Sequence, residues 1–286
     1  MSPISRFGCE TARRRSVVVG GLRLSFLEWE NTGRPVLCFL HGGSAHAHWF
    51  DSVTPAFIDR FHVIALDQRG HGESQWADPP AYGTENFAAD LLGFIDALGW
   101  ERVALIGHSM GGHNAMSFSA WHPERVSALV IVDSRPTIPT DRLDRLRRRG
   151  ERTLRPYPTR DAAAQSFRLL PRETIADSAL LAHLGGAGVV ERDGAWVYRF
   201  DPASNAARQP VDAWTLLDRI TAPTLIARGE LSPVLSPAMA DKLRAAIRDA
   251  TLVEIPASYH HLVLDNPAAF VQTLDAFLAR TLDARR

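Results

Sequence analysis

The chain has 286 residues, 45% of them apolar and 22% charged, which suffices to bury a full core in one or two domains. Its 32 basic side chains balance its 32 acidic ones, so no net field draws it to nucleic acid or to an anionic membrane. Two cysteines, Cys9 and Cys38, are too few for a disulfide framework and fit a reducing, cytoplasmic setting, and no run approaches the ~18 apolar residues of a membrane span.

In "TARRRSVVVGGLRLSFLEW" the apolar part is only Val17–Val19, too short for the core of a signal peptide. The segment reads as a tail followed by two strands joined at Gly20-Gly21. Cys9 lies in the tail and Cys38 inside the core run "PVLCFL"; a bridge between them stays open. "HVIALD" is a second buried run, entering the glycine-rich loop "QRGHGES". In "TENFAADLLGFIDALGW", Phe87, Leu91, Ile95 and Leu98 recur at helical spacing, with Thr84 as the expected N-cap and Gly99 as the stop. "RVALIG", a helix to about His122-Pro123 and the strand "VSALVIVD" follow. Near-continuous apolar strands alternating with helices predict an α/β fold with a parallel sheet covered on both faces.

The alternation then stops. From about Arg135 to Leu217 there are prolines, short helical stretches, the arginine-rich "RLDRLRRRGERTLR" and a small strand in "GAWVYRF". It resumes with "APTLIARGE", "SPAMADKLRAAI", "ATLVEIP" and "NPAAFVQTLDAFLART". The expected organisation is a core of residues 1–134 and 217–286 with an insertion, 135–216, over the strand ends where ligands bind.

Gly107-His108-Ser109-Met110-Gly111 fits G-x-S-x-G between a strand and a helix. A serine there sits on a sharp turn whose flanking residues crowd each other, so both must lack side chains. Its hydroxyl is thrown out above the sheet, and the Met110 amide at the helix start faces the same space. Attack on a carbonyl creates an oxyanion that needs two donors. Met110 N–H is one; the loop "HGGS" after "VLCFL" supplies the other, with Gly43 first and Ser44 second. His41 reads as a fixture of that loop. His46 and His48 read as surface or pocket-rim residues, since no carboxylate or cysteine accompanies them at ligand spacing.

"HGG", "LDQRGHGES", "GHSMGG" and "YHHLVLDNPAAF", in this order, resemble the α/β-hydrolase fold superfamily over about 20–134 and 217–280. The resemblance implies a mostly parallel eight-stranded sheet flanked by helices, an inserted helical cap, and a serine, an acid and a histidine in that chain order. His260 has the family's spacing to Pro267, although Tyr259 stands where the family has glycine; His261 is the alternative base. The family usually places its aspartate after the strand "PTLIARG", but this chain has Ser232-Pro233 there. Two carboxylates are left: Asp133, at the end of "ALVIVD", is the first choice, and Glu230 the alternative acid. Asp265 reads as part of the following helix start, and Asp67 as a partner for Arg69 or for loop amides.

Serine at the elbow argues against epoxide hydrolases and haloalkane dehalogenases, which need aspartate. No metal cluster, cofactor motif or phosphate-cradling loop is visible in the sequence, so no metal and no cofactor are expected. Trp49, Trp196 and Trp214 are candidates to line an apolar pocket. The reading is a serine hydrolase cleaving a carboxylester or lactone of a small apolar molecule through an acyl-enzyme. Its rivals are a C–C bond hydrolase with the same residues and a non-catalytic ligand-binding protein. The only partner expected is a small-molecule substrate; monomer and homodimer stay open.

Overall fold

Successive side chains of a strand point to opposite faces, so a strand that is apolar throughout needs cover on both. The computed structural model describes residues 11–282. One sheet contains β1 (Arg13–Val19), β2 (Leu22–Trp29), β3 (Val36–Leu40), β4 (His62–Asp67), β5 (Val103–His108), β6 (Val126–Val132), β7 (Thr224–Gly229) and β8 (Ala250–Ile255). Their spatial order is β1-β2-β4-β3-β5-β6-β7-β8. β2 pairs antiparallel with β1 and β4, and every later pairing is parallel. Leu37, Phe39, Ile106, Val130 and Ala227 belong to one core, with Phe270, Leu274 and Phe277 of helix α7 (Pro267–Thr281). Cys38, Leu40, Leu105, Ile131 and Ile226 belong to the other. There they join α1 (Thr84–Ala97), α2 (Met110–Trp121) and α6 (Pro237–Ala246). Cys38 is a buried free thiol; Cys9 lies outside the described residues.

The N-cap of α1 differs from the expectation. Gly83 is the cap, its N–H donating to Asn86 Oδ1 at 3.0 Å, and Thr84 is already helical. The Thr84 hydroxyl oxygen instead accepts from Val211 N–H at 3.2 Å. Gly99 ends the helix as expected, at φ +72° just past the last turn.

Strand order reverses at β3, which has β4 on one side and β5 on the other. Loops leaving β3 and β5 therefore diverge and open a crevice at the carboxyl ends of the strands. Between β6 and β7 the chain runs through α3 (Thr140–Gly150), α4 (Arg160–Gln165), α5 (Ser178–Ala187) and a hairpin of Val189–Arg192 with Ala195–Tyr198. The last arm is the small strand expected in "GAWVYRF". Arg208–Gln209 pairs in parallel with Tyr82–Gly83, and the Tyr82 hydroxyl donates to Asp201, so this insertion is bonded to the core. Among the described residues no helix is long and apolar enough to cross a membrane.

The turn between β5 and α2 is closely packed against backbone. A Cβ on Gly107 would lie 2.3 Å from the Gly111 carbonyl oxygen, and one on Gly111 would lie 2.2 Å from that of Leu40. The first glycine lets the turn close on itself; the second lets α2 sit down on the end of β3. Overpacking costs about 1–3 kcal/mol when side chains can move, and here the obstacle is backbone. Gly111→Ala should therefore lose at least about 3 kcal/mol in urea unfolding or fail to accumulate as folded protein. A wild-type midpoint would contradict this packing.

Candidate active site

Ser109 links β5 to α2 with φ 53° and ψ −114°, a conformation L-residues rarely adopt. Its N–H donates to Val132 O at 3.0 Å, and its own carbonyl accepts from the Ser134 hydroxyl at 2.6 Å. The strained turn is thus held from β6. The Ser109 hydroxyl lies 3.0 Å from His260 Nε2, and His260 Nδ1 lies 3.0 Å from Asp133 Oδ1. Serine, imidazole and carboxylate form one hydrogen-bonded line, assembled from three separate strand ends.

Asp133 follows β6 with φ 44° and is fully buried. Besides His260, its carboxylate accepts from Gly229 N–H at 2.9 Å and from the Ser232 hydroxyl at 2.7 Å. Burial pushes its carboxyl up to about 6, against the hydrogen bonds from Ser232 and Gly229, which favour the ion. His260 moves the other way. Burial, then the charges of Arg142 and Arg135, bring its imidazole down to about 3. At neutral pH the ring is therefore neutral, with Nδ1–H donated to Asp133 and the Nε2 lone pair left for the serine proton.

The other candidates fall elsewhere. Glu230 is exposed and accepts from Ala257 N–H at 2.8 Å, within the loops after β7 and β8. It takes no part in the line. His261 donates Nε2–H to Pro171 O of the insertion at 3.0 Å. Asp265 does not cap α7, whose N-cap is Asn266; it accepts from Tyr259 N–H at 2.8 Å and from Ile175 N–H at 3.0 Å. It thereby ties the His260 loop to the insertion. Asp67 accepts from the amides of Ala47 (2.6 Å) and Glu73 (3.0 Å) and pairs with Arg14 (2.9 Å), while Arg69 turns away to Asp90 (2.6 Å). Of the two partners expected for Asp67, only the loop amides are found.

Gly43, Ser44 and Met110 line the same cavity as Ser109. Met110 is the first residue of α2, so its N–H has no partner within the helix. His41 fixes the loop: Nδ1–H donates to Gly42 O at 2.7 Å, and Nε2 accepts from Gln68 N–H at 3.0 Å. His108 donates Nε2–H to the His260 carbonyl at 3.0 Å, so the residue before the serine holds the His260 loop.

Of the two positions expected for His46, the surface one is corrected: it is buried and donates to Leu184 O of α5 at 3.1 Å, while with His48 it lines a second cavity. His48 does have a carboxylate companion, because the turn Ala47–Phe50 brings Asp51 back against it. Asp51 Oδ2 accepts from His48 Nδ1 at 2.9 Å and from His183 Nε2 of α5 at 2.7 Å. Among the described residues two groups bring three ligating atoms within 4.8 Å of one another: His48, Asp51 and His183, and His108, His260 and His261. The fold makes clusters that spacing along the chain does not announce. The hydrogen bonds above make the first a tie between core and insertion and the second a frame around His260.

The cavity measures about 160 Å³. Trp49, Ile138, Phe167 and Leu169 give it an apolar side, but Arg135, Arg142, Arg149, Arg168 and Arg208 also line it. Of the three tryptophans, Trp49 is there; Trp196 lines a second cavity and Trp214 packs on the sheet core. The expectation of an apolar pocket is half met.

With the geometry in place, comparison supplies the family: a model of the alpha/beta hydrolase fold matches residues 35–267. The chain belongs to the α/β hydrolase fold family. Its eight-stranded, mostly parallel sheet is that of these hydrolases. The chain is 29% identical over 273 residues to a 2-(acetamidomethylene)succinate hydrolase of Mesorhizobium japonicum, covering 92% of this chain and 94% of that one. It is 26% identical to a 2-hydroxy-6-oxo-6-(2'-aminophenyl)hexa-2,4-dienoic acid hydrolase of Metapseudomonas resinovorans, over 95% and 93% of the two chains. The crystal structure of an E-2-(acetamidomethylene)succinate hydrolase superposes with TM-score 0.83 at 26% identity, over 93% of this chain and 99% of that one.

Ser232 is the residue whose part the sequence hides. It stands where the resemblance places an aspartate, and its hydroxyl donates to Asp133, the residue that follows β6. A hydrogen bond to a charged group is worth about 1.5–3 kcal/mol, and only while the charge is present. Ser232→Ala should lower stability in urea by about 1–3 kcal/mol at pH 8, where Asp133 is ionised, and by less at pH 5. An equal loss at both pH values would mean that the hydroxyl does not serve the carboxylate.

Proposed function

We propose that the protein is a serine hydrolase that cleaves an ester-like bond, a carboxylester or lactone, through an acyl-enzyme. The observation that carries this reading is the unbroken line from the Ser109 hydroxyl through His260 to Asp133, open to a cavity at the serine end. His260 Nε2 takes the serine proton as Oγ bonds to the substrate carbonyl carbon. The negative charge on the carbonyl oxygen is assigned to the amides of Gly43 and Met110. As the carbon–oxygen bond breaks, the Nε2 proton passes to the leaving alkoxide. Water then attacks the acyl-serine, giving its proton to His260, and the acid product leaves as Ser109 is reprotonated. Asp133 holds the Nδ1–H tautomer and stabilises the imidazolium formed in each half-reaction.

One comparison favours a second reading. The relative from Metapseudomonas resinovorans is named for hydrolysis of a dienoic acid. The same three side chains would then serve cleavage of a C–C bond in a ketone-bearing acid. A 2-hydroxy-6-oxo-dienoic acid tested beside p-nitrophenyl esters separates the two, since each reading requires turnover of its own substrate to dominate. Turnover of neither class, by protein that binds them, would support the non-catalytic alternative.

Replacing the acid tests the assignment. An asparagine in place of the acid favours the wrong imidazole tautomer, at a cost of about 10⁴-fold where such a change has been made. Asp133→Asn should lower kcat for a p-nitrophenyl ester by about 10³-fold or more, and Glu230→Gln by less than about threefold. The reverse ranking would overturn the assignment. The pH profile gives a second check. An ordinary imidazole would place the rise in activity near 6.5, but burial keeps the proton off His260, and Asp133 holds one only up to about 6. As pH falls through about 6, a proton enters the pair and activity is lost; above about 7 the profile should be flat. A midpoint above 7 would contradict this electrostatic reading.

A further inference from the structure

The cavity wall supplied by the insertion is charged in a way that the chemistry above does not use. Arg135, Arg142, Arg149, Arg168 and Arg208 all line it, and the only acid among the lining residues is Asp133, already engaged by His260, Gly229 and Ser232. Among the described residues, none of the five arginines is in an ion pair, whereas Arg14, Arg69, Arg145 and Arg199 all are. Two of the five have backbone partners: Arg135 Nε donates to Val234 O, and Arg168 donates to the carbonyls of Gln165 and Phe167.

Arg208 is the informative one. It is 6% exposed, and its Nε–H is buried without an acceptor. An isolated guanidinium held out of water is costly, and arginine cannot shed its proton near neutral pH. Its neighbours make matters worse. Burial first, then the charge of Arg142, lower its proton affinity, and Arg142 and Arg135 act on His260 in the same sense. His113, also on this wall, keeps a buried Nε2 with no partner. A folded protein keeps such uncompensated positive charge beside a reaction site when an anion completes it.

We propose that the acyl group bound in this cavity carries a free carboxylate, held by Arg208 together with Arg142 and Arg135, a few atoms from the carbonyl that Ser109 attacks. The proposal rests on the serine hydrolase reading for the identity of that carbonyl and on the arginine wall for the carboxylate. A planar guanidinium matches a carboxylate with two parallel hydrogen bonds, and a dry pocket strengthens them. The carboxylate also separates Arg142 and Arg135 from their action on His260. Substrate binding would then restore the basicity that the empty pocket withholds from the catalytic imidazole.

The test compares isosteres. p-Nitrophenyl hemisuccinate, hemiglutarate and hemiadipate are each set against the neutral alkanoate ester of the same length. One charge-assisted pair is worth about tenfold or more in kcat/KM. For at least one length the carboxylate ester should lead by that factor in the wild type. The lead should shrink to within about threefold in both Arg208→Gln and Arg142→Gln. The second variant covers the case in which the buried substitution fails to fold, because Arg142 is only partly buried. In parallel, glutarate should raise the melting temperature of Ser109→Ala, and the rise should be lost in Ser109→Ala/Arg142→Gln. Neutral esters preferred at every length, a carboxylate preference that survives both arginine variants, or stabilisation by inorganic phosphate with none by glutarate would each overturn the proposal. If no ester of either kind is cleaved, the hydrolase reading fails, and the glutarate measurement alone decides the anion site.

Discussion

Backbone contact between Gly111 and the end of β3 is the constraint on which the site depends. It presses the start of α2 against Leu40 and His41, so that the serine turn, the Gly42-Gly43 loop and the first free amide of α2 converge in one place. Strain at Ser109 is the local consequence: a serine at φ 53° persists because β6 holds it from both sides, through Val132 and Ser134. The crevice exists because strand order reverses at β3, and the residues exist in it because nothing larger than glycine fits at 107 or 111. The placement of the Ser109 hydroxyl is in this sense a consequence of packing.

A second level of organisation concerns charge. Asp133 is buried and still accepts three hydrogen bonds, which is how an ion is kept away from water without loss of its charge. The His260 loop is fastened on several sides, by His108 to the His260 carbonyl, by His261 to Pro171 and by Asp265 to Tyr259. Preorganisation of this kind would keep the imidazole aligned in the proposed reaction. The arginines on the opposite wall lack such compensation, and this contrast between the two walls of one small cavity is the basis of the proposed carboxylate-bearing substrate.

Much of the core was legible because its signals are local. Apolar runs, the two glycines around Ser109 and the spacing from His260 to Pro267 each reflect a constraint acting within a few residues. The partnership of Asp133 with His260 was legible only by elimination, since an aspartate ending a strand looks the same whether it starts a loop or meets a histidine 127 positions away. Ser232 was visible only as a missing aspartate; its hydroxyl acquires meaning once β7 lies beside β6. The insertion was least legible. Arg208 carries no pattern in sequence, and its place in the cavity comes from a two-residue pairing with Tyr82–Gly83. His183 meets Asp51 across 132 residues, and the burial of His46 has the same origin, a contact with Leu184 of a distant helix, whereas the carboxylate beside His48 is three residues away and is brought to it by a local turn. Thr84 illustrates the smaller kind of error, a good capping residue displaced by one position because Asn86 reaches back to Gly83.

The central claim is that the hydroxyl at 109 is made nucleophilic by its alignment with His260 and Asp133. Its most direct measurement is the site of covalent modification by a fluorophosphonate, read by peptide mass spectrometry on the folded protein, with urea-unfolded protein as the control. The account predicts a single adduct on Ser109 in the folded state and none after unfolding. A folded protein that stays unmodified, or carries its adduct on another serine, would contradict it.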